Sequence, residues 1–153
     1  MPRVIFMCGP SGSGKSTYAR ALEADGMVRL SFDVEMWRRG KSTVPLPADL
    51  RDEIEADLRD RLLQLVTAGR DVVLDFSFWS RRMREDYRAL LAPTGVVPET
   101  VYLATDRATV LERMRSRRGS HSDDYWLTEE LAAQHFDGFE PPTPDEGPLQ
   151  IVR

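Results

Sequence analysis

The chain has no asparagine, one cysteine and two histidines in 153 residues. Each scarcity removes a class of function. Without asparagine there is no Asn-Lys-x-Asp element for reading guanine, which excludes the GTP-binding switches that use it. The lone Cys8 excludes an internal disulfide and fits a reducing, cytoplasmic setting. It ends an apolar run and reads as a small core residue rather than as a reactive thiol. His121 and His135 lack metal-ligand partners at workable spacing. No apolar run approaches the roughly 20 residues of a membrane span, and "MPRVIFMCGP" lacks the long apolar stretch of a signal peptide. A net charge of −4 argues against a general nucleic-acid coat and leaves nucleic acid as a substrate only. What is present, 41% hydrophobic and 30% charged residues, is the balance of a globular protein, and the length suits a single domain over 1–153.

Apolar, β-branched runs alternate with helical patterns. Strands are expected at 3–8, 27–32, 71–78, 99–105 and 149–153. Between them lie helices at 14–24, 48–69, 81–92 (capped by Ser80, stopped by Pro93 and Gly95), 106–119 and 128–139. Segment 34–47 reads as a loop, and "EPPTPDEGP" as a proline-rich connection before the last strand. Strand–helix alternation at these spacings implies right-handed crossovers and a parallel sheet between two helix layers, a three-layer α/β/α sandwich.

"CGPSGSGKST" supplies the chemistry. Gly9-x-x-x-x-Gly14-Lys15-Ser16 is a complete phosphate-binding loop between a strand and a helix. Glycines at 9, 12 and 14, with Pro10, Ser11 and Ser13 between them, let backbone N–H groups wrap an anion at the positive end of the next helix. Lys15 adds a compact charge for the outer phosphates. Ser16 offers a hydroxyl to Mg2+, and Thr17 one to the innermost phosphate. Asp75 ends the apolar "VVLD", where a Walker-B-type acid holds magnesium through water, or where a strand-end cap would sit. Asp33 follows the second strand, at the strand ends that form a ligand crevice. Arg113, Arg115, Arg117 and Arg118 cluster at a helix end, as counter-charges to the dipole or as a lid over the nucleotide.

Taken together, "GPSGSGKST", "RLSFD", "VVLDFSF" and "LERMRSRRG" resemble the small P-loop kinases. That group includes polynucleotide 5′-hydroxyl kinase domains, chloramphenicol phosphotransferase and zeta-toxin-type kinases, and the resemblance spans nearly the whole chain. It implies a five-stranded sheet of order 2-3-1-4-5. It implies ATP and Mg2+ as ligands and a γ-phosphoryl transfer to a hydroxyl. It assigns Asp33 as the carboxylate that takes the acceptor's proton, with Glu35 a weaker substitute. It places Lys15, Arg113, Arg117 and Arg118 on the phosphates, the last three in a lid over about 113–127 hinged at Gly119. It sets residues 139–147 beside adenine, and it lets Asp75 contact substrate instead of metal.

On the acceptor side, Trp37 and Arg38 in the 34–47 loop suit an anionic or nucleotide-like molecule, although a tryptophan more often plugs a core. "FSFWSRRMRE" (76–85) is a second aromatic-and-arginine cluster expected on the same rim. The sequence therefore reads as a kinase for a hydroxyl on a small molecule or nucleic-acid 5′ end, or alternatively as an ATP-hydrolysing switch without an acceptor.

Overall fold

The computed structural model describes residues 1–10, 12–40, 48–116 and 129–153. Five parallel strands form one sheet: β1 (Val4–Cys8), β2 (Val28–Ser31), β3 (Val72–Asp75), β4 (Glu99–Leu103) and β5 (Leu149–Val152), in the order β2-β3-β1-β4-β5. The connecting helices are α1 (Lys15–Ala24), α2 (Phe32–Arg38), α3 (Ala48–Thr67), α4 (Arg81–Leu91), α5 (Arg107–Ser116) and α6 (Glu129–Asp137). The expected architecture and strand order are both present.

Strand alternation explains why two helix layers form. Every residue of β1 is buried, because both of its faces are covered. Val4, Phe6 and Cys8 face a core shared with Ile54, Leu58, Leu62 and Val66 of α3 and with Tyr87 and Leu91 of α4. Ile5 and Met7 face the opposite side, packed with Ala19 of α1 and Val73 of β3. The α3 residues recur every fourth position, so one stripe of a 20-residue helix enters the core. Phe6 and Phe78 stack at 4.3 Å, and Tyr87 meets Phe78 edge-on at 5.2 Å, filling the centre of that layer.

Two boundaries differ from the sequence reading. Residues 32–38 are a helix rather than the start of a loop; the Ser31 hydroxyl accepts the Val34 N–H at 3.2 Å and so caps it. Asp33 and Glu35 in the first turn and Arg38 in the last complement its dipole. Residues 41–47 of the same expected loop lie outside the described residues. The third strand stops at Asp75 rather than 78: its partner β2 ends at Ser31, opposite Asp75, and Phe78 at φ 46° is off the extended path. The 106–119 helix is described as far as Ser116, and residues 117–120 lie outside.

The 76–85 cluster is a larger correction. Phe76 and Phe78 are core residues, and Arg84 is entirely buried, so this segment does not line an open rim. Alternating residues after β3 fall on the α3–α4 face, where there is core to fill. Arg84 Nε donates to Glu146 Oε1 at 2.8 Å and Nη1 to Phe78 O at 2.7 Å. Burial alone would raise the Glu146 pKa. Hydrogen bonds from Arg84 and the Thr143 amide, with the charges of Arg84 and Arg88, overcome that and bring it down to about 2. The carboxylate thus stabilises the fold above the ordinary glutamate range, and that contribution is lost as pH falls from there toward 2. Arg84→Met removes one partner of a buried pair and is expected to cost about 3 kcal/mol. Thermal denaturation should show this as a Tm drop on the order of 10 °C. Replacing both partners by apolar residues, Arg84→Met with Glu146→Leu, is expected to recover most of the loss.

Candidate nucleotide site

The phosphate loop leaves the C-terminal end of β1, beside the point where connections part to opposite faces of the sheet. In open α/β sheets ligands gather there. Its backbone is held from three directions. The Gly9 N–H donates to Ser77 O at 3.1 Å, the Thr105 hydroxyl to Ser13 O at 2.7 Å, and Arg113 Nη1 to Gly12 O at 3.0 Å. Gly12 has φ 86°, and a Cβ there would come within 2.9 Å of the Val110 carbonyl of α5, so only glycine fits. Gly14, at φ 96°, turns the chain into α1 without a side chain over the helix end. The Ser13 N–H closes a turn on Pro10 O at 3.1 Å, so this amide is held within the loop rather than offered to an anion.

The N-terminus of α1 is bare. It has no side-chain cap and no acid in its first turn, whereas Ser31 caps α2 and Ser80 caps α4. Lys15 opens this helix and is only 5% exposed. No ion pair among the described residues involves it. A closely packed lysine without an ion-pair partner, beside uncapped helix amides, is an arrangement stabilised by an incoming anion. Ser16 is half-buried and Thr17 exposed in the same first turn.

Asp75 belongs to the α1 face of the sheet, since Val72 and Leu74 point into the α3–α4 core and Val73 into the opposite one. Its Oδ2 accepts Arg29 Nη2 at 2.6 Å and Nε at 3.0 Å. Its Oδ1 is buried with no hydrogen-bond partner. The sequence reading missed Arg29; the only signal for it was its place on β2, two residues before the position paired with Asp75. A carboxylate with one oxygen clamped and one unpartnered fits a water of a divalent cation's shell.

Asp33 is the second residue of α2, half-buried, and Trp37 sits one turn further along the same helix face. Arg38 lies on another face. Its Nη1 donates to Glu35 Oε1 at 2.9 Å, and Arg61 of α3 donates to the same oxygen at 2.9 Å. Glu35 therefore docks α2 onto α3, and Arg38 belongs to that contact. Arg113 reaches the phosphate loop as expected. Ser11, Arg117, Arg118 and the remainder of the lid, 117–127, lie outside the described residues, as do Gly119 and His121. Cys8 is buried, with its thiol pKa pushed up to about 12 by desolvation, and it donates to Phe78 O at 3.4 Å as a core residue. Residues 139–147 are anchored by Phe139 stacked on Tyr102 at 5.7 Å and by a short 3-10 turn, Pro144–Glu146, with its own capping box.

A family model described as an AAA domain, AAA_33, matches residues 4–142. The chain belongs to that family. No curated protein matches it in sequence. Among solved structures, a gluconokinase from Sinorhizobium meliloti is 27% identical with a TM-score of 0.65, covering 99% of this chain and 83% of that one. Kti12 of Chaetomium thermophilum, in complex with ADP-AlF3, is 16% identical with a TM-score of 0.65, covering 97% and 88%. A chain of the Pnkp1/Rnl/Hen1 RNA repair complex is 17% identical with a TM-score of 0.78, covering 90% of this chain but 43% of its own. The latter two carry the fold alone. The fold is that of the P-loop kinases, and these neighbours include proteins named as kinases. No helix among the described residues is long and apolar enough to cross a membrane.

Proposed function

We propose that the protein is a single-domain kinase that transfers the γ-phosphoryl group of MgATP to a hydroxyl of a small-molecule acceptor. The observation that carries this is the buried Lys15 at the bare N-terminus of α1, beneath a loop whose glycines cannot be replaced. Amides of the loop and of the first turn bind the polyphosphate, and Lys15 neutralises charge on its outer oxygens. Arg113, already on the Gly12 carbonyl, braces the same phosphates. The acceptor oxygen bonds to the γ-phosphorus as the bond to the β,γ-bridging oxygen breaks. ADP leaves, and the acceptor's proton passes to the Asp33 carboxylate. Magnesium, held through Ser16 and Asp75, would neutralise charge developing on the phosphates.

Asp33 follows β2, Asp75 ends β3 and the phosphate loop follows β1, three neighbours in the sheet, which supports one continuous crevice for acceptor, metal and nucleotide. Trp37 would form the acceptor's apolar wall. The gluconokinase likeness supports a polyol or sugar-acid acceptor ahead of a nucleic-acid end.

The test is ATP consumption with pooled sugars, sugar acids, nucleosides and 5′-hydroxyl oligonucleotides. Turnover stimulated by an acceptor, with a phosphorylated product by mass spectrometry, is the expected result. Slow hydrolysis indifferent to every acceptor would overturn the kinase reading and favour a nucleotide switch. Asp75→Asn is expected to raise the magnesium concentration for half-maximal ATP binding about tenfold, read by titrating Mg2+ against a fluorescent ATP analogue. An unshifted midpoint would remove Asp75 from the metal site.

A further inference from the structure

One peptide unit of the phosphate loop is held differently from its neighbours. The unit before it, Gly12–Ser13, is fixed at both ends: Gly12 O accepts Arg113 Nη1 at 3.0 Å, and the Ser13 N–H donates to Pro10 O at 3.1 Å. The unit after it belongs to α1, where Gly14 O accepts the Tyr18 N–H at 3.2 Å. Between them, the Ser13–Gly14 peptide has a single hold among the described residues, the Thr105 hydroxyl donating to Ser13 O at 2.7 Å. The Ser13 side chain supplies no other, because its Oγ is buried against Gly9 without a hydrogen-bond partner. Thr105 lies just after β4, 92 residues further along the chain.

The C=O and N–H of a trans peptide point in opposite directions. With Gly12 O and Ser13 O both drawn toward the β4–α5 side, the amides of residues 13 and 14 face the other way, as in a backbone nest for an anion. The β4–α5 side is filled: a Cβ on Gly12 would meet the Val110 carbonyl at 2.9 Å and Met114 at 3.3 Å. The Ser13 amide is taken by Pro10 O, which leaves the Gly14 N–H to continue the row of amides at the uncapped start of α1.

The chain does not secure that orientation by itself. Rotating the unit changes ψ of Ser13 and φ of Gly14, and glycine adopts either sign of φ readily. Gly14 sits at φ 96°. A flipped unit would turn Ser13 O toward the anion and replace an attractive dipole with a repulsive one.

We propose that Thr105 is a positioning residue of the polyphosphate site: its hydroxyl selects the orientation of the Ser13–Gly14 peptide in which the Gly14 N–H faces the phosphates. This rests on the ATP reading above. The hydroxyl acts on the loop before the ligand arrives, so the amide needs no reorientation when it binds.

The experiment measures MgATP and magnesium tripolyphosphate binding by calorimetry for wild type and two variants. Thr105→Val keeps the shape of the side chain without its hydroxyl, and Thr105→Ser keeps the hydroxyl. Thr105→Val is expected to weaken both ligands by the same factor, roughly tenfold for one lost charge-assisted bond, and Thr105→Ser to restore most of it. In isotope-labelled wild-type protein the Gly14 amide proton should move downfield in NMR spectra when tripolyphosphate binds, a reading that does not depend on any variant folding. The proposal is overturned by a Thr105→Val variant that binds both ligands as wild type does, by a loss confined to ATP, or by a loss that Thr105→Ser does not restore. A Gly14 amide that stays in place while tripolyphosphate binds overturns it as well. Wild-type protein that binds neither ligand overturns instead the ATP reading beneath it.

Discussion

Lys15→Met is expected to lower kcat/KM for phosphoryl transfer on the order of 10³-fold and to weaken ATP binding while leaving the free protein at least as stable as wild type. The two effects have one cause. Lys15 is packed to 5% exposure at the start of α1, and no ion pair among the described residues offsets its charge. Burying an unpaired charge is unfavourable, and methionine fills similar space without that cost. Once the polyphosphate arrives, the same charge sits against developing negative charge in a site with little water, where its effect is largest. Binding assays and thermal denaturation on one sample separate this from a general structural lesion. A stabilising lysine would lower Tm when replaced; one held ready for a ligand would not. ATP binding equal to wild type would place the nucleotide elsewhere.

Most of the fold was legible because its signals are local. The nearly continuous apolar runs of β1 and β3 announced strands covered on both faces, and the glycine spacing at 9, 12 and 14 announced the loop between β1 and α1. What escaped depends on partners distant in sequence. Arg84 finds Glu146 62 residues away, and Arg29 finds Asp75 46 residues away. Neither pairing leaves a periodic trace, so the arginines of 76–85 read as a basic rim when one of them, Arg84, is the most buried cation among the described residues. The short helix α2 was missed for a different reason. Seven residues give too little periodicity to stand out, and its signal was a single capping serine, Ser31, ahead of two acids. That helix changes what the candidate acceptor side looks like. It turns Arg38 toward Glu35 and Arg61 and leaves Asp33 and Trp37 together on another face.

The consequence for Asp33 can be measured sharply. Asp33→Ala is expected to reduce transfer to the acceptor by about 10²–10⁴-fold and to leave ATP affinity unchanged. As an acid in the first turn of α2, Asp33 also favours the helix dipole, a contribution of up to about 1 kcal/mol to stability. The structural and chemical roles thus differ in size by several kcal/mol, and a variant that stays folded but does not transfer cannot owe its defect to the helix. Asp33→Asn sharpens the test, since it keeps a hydrogen-bonding group of the same size but cannot take up a proton. It should therefore be nearly as inactive as alanine, while acceptor-independent ATP hydrolysis stays at its basal rate in both. If Asp33→Asn retains most of its transfer activity, the acceptor proton goes elsewhere. Glu35 is then a poor substitute, because its Oε1 already accepts from Arg38 and Arg61 on the α3 side of the helix, away from the crevice.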